Sequence, residues 1–249
     1  MATVNRQPAT VSSLRTIIST PAAKGPYVRR LFATIADRYD LITILLSYGQ
    51  DGRWKRRLVR MAGPLQCRRV LDLACGTGDI AVLAAAAGAD VTALDITPRM
   101  IALARVKARA RGARARFLVG DMTALPLPDA CVDVVTTGYG LRNVPDLDAA
   151  LGEIHRVLRP GGRLLSLDFN RPSWPPLRAG YHAYLTVVGS ALGQLLHRDA
   201  DTYRYIPESI RQYPGANAVV DRLRATGFAT ARWHRVLGGL LAIHEADRA

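Results

Sequence analysis

Cysteine is scarce in this 249-residue chain, which has only Cys67, Cys75 and Cys131. The count is odd, no two stand as C-x-x-C, and no histidine pair has a ligand's spacing. A disulfide scaffold and a metal site are therefore not expected, and a reducing, cytoplasmic setting is. Long apolar runs are missing as well. The best stretch, Gly180 to Leu196, is interrupted by His182, Ser190 and Gln194, too short and too polar to cross a bilayer. Residues 1–26 hold no continuous apolar segment, so no secretory signal is read there; they are expected to form a flexible polar tail. Repeats and low-complexity tracts are absent. Acidic residues are few, 20 against 34 Lys and Arg, for a net charge of +14. With 49% hydrophobic residues the chain still has ample core for one α/β domain, which excludes disordered and fibrous proteins.

A surplus of positive charge suits anionic surroundings such as nucleic acid, a phospholipid surface or a phosphorylated ligand. Most of it lies early: residues 1–69 carry 13 Lys and Arg against Asp37, Asp40 and Asp51. The densest run, Arg53-Trp54-Lys55-Arg56-Arg57-Leu58-Val59-Arg60, follows the apolar stretch Leu41 to Tyr48. As a helix it sets Trp54, Leu58 and Met61 against a basic face. Either that face is merely solvated, or it meets anionic lipid headgroups with apolar anchors beside it. A second basic run spans Arg105 to Arg116. Nucleic-acid binding is not expected, because interleaved surface aromatics and any RNA-module motif are lacking.

Through the middle, short β-rich runs alternate with helical ones. Strands are expected at Arg69–Ala74, Asp90–Asp95, Arg116–Gly120, Val132–Thr137 and Gly162–Phe169, with helices at Ile80–Ala87, Pro98–Arg111 and Asp146–Leu158. Strands joined through helices make a parallel sheet covered on both faces. At the end, Phe228–Val236 and Gly239–His244 are parted only by Leu237-Gly238, which requires an antiparallel hairpin. The break Pro172-Ser173-Trp174-Pro175-Pro176 opens an inserted helical region, residues 170–212. Residues 27–249 are expected to form one domain, with helices in 27–66 over the site.

The chemistry gathers where strands end. Val70-Leu71-Asp72-Leu73-Ala74-Cys75-Gly76-Thr77-Gly78-Asp79 is a strand running into a glycine turn that opens a helix. Gly76 and Gly78 let the backbone turn sharply and approach a ligand, and amides at the helix start bind a carboxylate. Asp95, seventeen residues beyond Gly78, ends the next strand, placed to accept from ribose hydroxyls. The glycine spacing alone also fits a dinucleotide. Asp72 inside the first strand suits a cationic amine such as that of S-adenosylmethionine, and Asp121 with Met122 after the third strand suits an adenine edge. Strand-end capping is the plainer role for Asp72 and Asp121 taken singly.

With Asp72-Leu73-Ala74-Cys75-Gly76-Thr77-Gly78 the chain resembles class I S-adenosylmethionine-dependent methyltransferases. Ile35 to Asp40, Leu46 to Asp51, Gly140-Leu141-Arg142-Asn143-Val144, Arg156 to Arg163 and Tyr205 to Ile210 narrow this to a resemblance to the ubiquinone/menaquinone biosynthesis C-methyltransferase family, over about residues 28–245. It implies a Rossmann-like α/β fold, a mainly parallel seven-stranded sheet with a C-terminal antiparallel hairpin and helices on both faces. It implies S-adenosylmethionine as methyl donor, contacted at Thr77, Asp95, Asp121 and Met122, and a prenylated quinol as acceptor. A family contact made by serine falls on Gly138 here, and Asp168-Phe169-Asn170-Arg171-Pro172 departs from the family's usual Glu-Phe-Ser-Lys-Pro.

Making a quinol carbon nucleophilic requires loss of a neighbouring hydroxyl proton. Arg142 would stabilise the phenolate or polarise a water, and Asn143 would orient that water or a ring oxygen; the resemblance gives this pair the same role. A salt bridge for Arg142 and a helix cap for Asn143 are the plainer alternatives. Tyr205 and Ser209 would reach the quinol if their segment folds over the site, and His155 is expected to be structural. Tyr181 to Val188 with Ala191, Leu192, Leu195 and Leu196 would line a prenyl channel, or simply pack. The protein is expected at the cytoplasmic face of an anionic membrane. A methyltransferase acting on another small molecule, or a basic nucleic-acid-binding module with an inactive cofactor fold, are the competing readings.

Overall fold

A computed structural model describes residues 11–172, 174–197 and 204–249. The chain begins with α1 (Val11–Ser19), α2 (Pro21–Ile35), α3 (Tyr39–Leu46) and α4 (Asp51–Met61), then alternates β1 (Arg69–Leu73), α5 (Asp79–Ala86), β2 (Asp90–Asp95), α6 (Pro98–Ala110), β3 (Ala115–Val119) and β4 (Val132–Gly138). After a short 3-10 turn at Leu141–Asn143 come α7 (Leu147–Val157), β5 (Leu158–Phe169), α8 (Pro175–His197), α9 (Tyr205–Gln212), α10 (Ala216–Thr226), β6 (Phe228–Val236) and β7 (Leu241–Arg248). The strands form one sheet in the order β3-β2-β1-β4-β5-β7-β6. β1 to β5 run parallel, and β7 pairs antiparallel with β5 and β6. Strand order reverses between β1 and β4, which opens a crevice beyond their carboxyl ends.

Central strands are apolar because both faces are covered. Leu71, Leu73, Val135, Leu165 and Leu167 are fully buried, and each such side chain contributes about 1.5–3 kcal/mol. Gly78 begins α5 at φ 86°, a left-handed conformation that favours glycine. A Cβ there would lie 3.1 Å from the Ala104 Cβ, so this glycine also allows α5 and α6 to pack closely.

Three expectations need correction. The tail read over residues 1–26 is helical from Val11 onward, because Leu14 and Ile18 bury against Val28 and Tyr205; residues 1–10 lie outside the described residues. β5 starts at Leu158 rather than Gly162, absorbing the proline-glycine turn as an irregularity in its pairing with β4. In α8, Tyr181, Tyr184 and Leu185 line a cavity, but Val187 and Leu195 face outward, 69% and 77% exposed, and His182, Ala183, Thr186, Val188 and Ala191 are not among the lining residues. A helix turns only one stripe of about 100° inward, so a continuous run cannot all line a channel. The side chains of Leu192 and Leu196 lie outside the described residues, as do Ser173 and residues 198–203. No described helix is long and apolar enough to cross a membrane.

Candidate active site

Three compartments meet beyond the carboxyl ends of β1, β2 and β4, and Tyr39 and Tyr139 line all three. The first is a narrow cleft walled by Gly76, Asp95, Gly120, Asp121, Met122 and Gly138. Asp95 anchors it: one carboxylate oxygen accepts from the Gly76 N–H at 2.9 Å, the other from the Thr97 N–H at 2.8 Å. Burial pushes this carboxyl up, and the two N–H bonds oppose the shift. Asp121 uses one oxygen to accept from the backbone and hydroxyl of Thr123 at 2.9 and 2.7 Å. Its second oxygen has no partner among the described residues.

Sequence reading placed seven residues on the cofactor, and the structure divides them. Gly76, Asp95, Asp121 and Met122 line the cleft. Thr77 lines a small adjoining pocket with Gly76 and Asp79; its hydroxyl donates to Asp40 at 2.6 Å and accepts from Lys107 at 2.8 Å. Gly78 and Asp72 line neither. Gly78 acts through backbone geometry alone. Asp72 is wholly buried and faces the start of α5, where the Ala81 N–H reaches it, with one oxygen accepting from the Thr136 hydroxyl at 2.9 Å. The other oxygen has no partner, and burial pushes the carboxyl up to about 7. At Gly138, where the resemblance implies a serine, a Cβ would lie 2.8 Å from Ile80 Cδ1, so Ile80 would have to turn aside to admit one.

The second compartment is a cavity of about 550 Å³, within the range that holds a drug-sized molecule. Arg142 is the one charged side chain among its described lining residues. The guanidinium is buried and fixed: its Nε lies 3.3 Å from Asp168 Oδ1 and its NH1 donates to the Ser209 hydroxyl. The Arg142 backbone N–H donates to the second Asp168 oxygen at 3.0 Å. Phe169 and Tyr205 place their rings 5.1 and 5.9 Å from the guanidinium carbon. Burial raises the Asp168 carboxyl, and Arg142 opposes it. The salt bridge considered for Arg142 therefore exists, and the residue still faces the cavity.

Asn143 does not cap α7; Asp146 does, accepting from the Ala149 N–H at 3.0 Å. Asn143 donates through Nδ2 to the Tyr139 carbonyl at 2.7 Å and accepts from the Tyr205 hydroxyl at 2.9 Å. Burial drives the Tyr205 hydroxyl well above its ordinary range, so it stays protonated. His155 is structural, edge-on to Phe228 at 5.1 Å.

Sequence reading gave no site role to several neighbours. Asp51 and Lys55, one turn apart on α4, are buried and paired at 2.6 Å, and Asp51 accepts from the Tyr139 hydroxyl at 2.8 Å. Burial alone would push Lys55 down; Asp51 and Asp79 outweigh it and hold its pKa high. Asp79, between Lys55 and Lys107, is held down at about 2 despite its burial. The i,i+4 spacing of Asp51 and Lys55 inside an otherwise basic run was the available signal. Lys24 donates to the Arg142 carbonyl at 3.0 Å, and no local pattern pointed to it. Burial, helped by Arg142, pushes it down to about 8.

A glycine-walled cleft with carboxylates at successive strand ends, beside a larger apolar chamber, defines a nucleoside-dependent group-transfer enzyme of the class I methyltransferase type. Among solved structures, the chain superposes with a TM-score of 0.66 on an S-adenosylmethionine-dependent methyltransferase from Thermotoga maritima, at 19% identity, covering 89% of this chain and all of that one; this likeness concerns the fold. Residues 20–248 match the ubiE/COQ5 methyltransferase family. The chain is 44% identical to the demethylmenaquinone methyltransferase of Thermus thermophilus, over 88% of this chain and all of that one. It is 41% identical to the ubiquinone/menaquinone biosynthesis C-methyltransferase of Rubrivivax gelatinosus, over 89% and 87%. The chain belongs to the ubiE/COQ5 family and is an S-adenosylmethionine-dependent C-methyltransferase.

The donor set fits that cofactor: Asp95 for hydroxyl groups, the free Asp121 oxygen for an amino group, and glycine backbone for close approach. Space is a separate matter. The cleft measures about 80 Å³ and is continuous with the neighbouring pockets at Tyr39 and Tyr139, with Gly25, Val28 and Phe32 of α2 among its walls. Replacing Asp95 by alanine is expected to weaken S-adenosylmethionine binding by at least tenfold. Titration calorimetry checks this, and an unchanged affinity would remove Asp95 from the binding set.

Proposed function

We propose that this enzyme methylates a ring carbon of a prenylated quinol in menaquinone or ubiquinone biosynthesis, with Arg142, Asn143 and Tyr205 acting on the quinol. The observation that carries the proposal is the position of the Arg142–Asn143 turn. It presents a single fixed cation to an otherwise uncharged chamber, where that chamber adjoins the nucleoside cleft. Family membership supports the C-methylation of quinones, and the apolar lining suits a ring bearing the first part of a prenyl tail.

S-adenosylmethionine supplies an electrophilic methyl on a sulfonium; the protein supplies position, dryness and a route for protons. Arg142, kept charged and oriented by Asp168 and Ser209, favours the phenolate form of a quinol hydroxyl. As the hydroxyl proton passes to a water polarised by Arg142, negative charge spreads onto the ring carbon that attacks; after transfer the C–H proton of that carbon is lost to water, which restores the aromatic ring. Asn143 has its amide orientation set by Tyr139 and Tyr205, so it meets a ring oxygen or a bridging water in one register. Tyr205 remains neutral and serves as a hydrogen-bonding post. Dispersed charge in a dry, preorganised site contributes more than it would in water.

Incubation with methyl-labelled cofactor and each demethylated quinol in turn, followed by NMR of the product, tests the reading. A labelled methyl on a ring carbon is the expected result. Label on oxygen or nitrogen, or turnover only with an unrelated acceptor, would overturn it. On location, the basic face of α4 supports attraction to an anionic membrane surface, the phase in which prenylated quinones dissolve.

A further inference from the structure

Isolated exposed apolar residues are normal on a protein surface; several gathered at one opening are not. The 550 Å³ chamber meets solvent where Tyr48, Trp174 and Leu177 stand among its lining, 67%, 64% and 36% exposed. Leu41, Ile44 and Leu45 of α3 are also exposed, while Ile42, Thr43 and Leu46 of the same helix line the chamber. Tyr48 stacks on Tyr184 of α8 at 5.8 Å, so α3 and α8 form one lip. Directly after that lip, α4 turns Arg53, Arg56 and Arg60 outward. None of the three has an acidic partner among the described residues.

We propose that this lip enters the hydrocarbon edge of an anionic phospholipid bilayer, with the α4 arginines on the headgroups, so that the chamber opens into lipid rather than water. The proposal rests on the quinol reading only for what passes through the mouth. Apolar rim and unpaired cations are the two halves of an interfacial anchor. A tail longer than the chamber has to leave through this opening, and every methylene left in water is unfavourable. A second copy of the chain fits the surface poorly. A twofold contact would set the α4 arginines of two molecules, each of net charge +14, beside one another.

The test uses the full chain with vesicles of phosphatidylcholine and phosphatidylglycerol. Trp174 fluorescence is expected to be quenched by lipids brominated on their acyl chains, and most of that quenching should vanish in Trp174→Phe. The double variant Ile44→Ser/Leu45→Ser touches neither compartment. It should lose vesicle recovery at least tenfold while keeping its melting temperature and its turnover of a short-tailed, water-soluble quinol. Arg53→Gln/Arg56→Gln/Arg60→Gln should weaken recovery on anionic vesicles and leave recovery on neutral ones unchanged. Unquenched Trp174, or full vesicle recovery by the serine variant, would overturn the proposal. So would a lipid-free dimer that depends on Ile44 and Leu45. Vesicle insertion without methylation of any quinol would overturn the substrate reading and leave the surface standing.

Discussion

Arg142→Ala is expected to lower kcat by roughly three orders of magnitude while leaving S-adenosylmethionine affinity within twofold. The rate falls because the chamber loses its fixed cation, and loss of a positioned proton-handling group typically costs 10²–10⁴-fold. Affinity holds because Arg142 does not line the nucleoside cleft. The same change strands Asp168, which is fully buried and has no other cationic partner among the described residues, and breaking such a pair costs about 3–5 kcal/mol. Poor folding could therefore mimic lost catalysis. The double variant Arg142→Gln/Asp168→Asn separates the two: it removes both charges together, so most of the stability should return while turnover stays absent. Normal turnover in the double variant, measured with labelled cofactor, would take Arg142 out of the chemistry.

Asp72→Asn should make the protein more stable, and only above a certain pH. Burial raises the folded carboxyl to about 7, against about 3.9 in an unfolded chain. Below pH 4 both states hold the proton and the group makes no difference. Between pH 4 and 7 the unfolded chain has released it and the folded one has not, so stability falls as pH rises. Above pH 7 both are ionised and the full cost remains, about 4 kcal/mol for a carboxyl held near 7 when folded and near 3.9 when unfolded. Asparagine carries no such charge. Denaturant unfolding should give matching stabilities at pH 4 and an advantage for the variant, up to that figure, at pH 8. A difference independent of pH would mean that Asp72 contributes through shape and hydrogen bonds alone.

Much of this architecture was legible because each feature is written in adjacent residues. Asp95 and Asp121 could be placed by chain position alone, since a carboxylate closing an apolar strand beside glycine has few other settings. The final hairpin was forced by the length of its link. The direction of Asp72 was not legible: Val70 to Leu73 are all buried, so apolar alternation does not reveal which way the aspartate points. Asp168 closes β5 as Asp95 closes β2, and the same rule would have marked it. What joins it to Arg142 across 26 residues is tertiary contact, which no local pattern encodes. α1 was hidden similarly: its few apolar residues make a helix only because Val28 and Tyr205 are there to receive them.

One helix covers two ligands. Val28 and Phe32 of α2 close the nucleoside cleft, Leu31, Phe32 and Ile35 close the neighbouring chamber, and Lys24 ties the helix to the Arg142 carbonyl. A displacement of α2 would therefore open the cleft and the chamber together. It would also loosen the turn that carries the cation. The two pockets thus share one wall, and a substitution in α2 is felt in both.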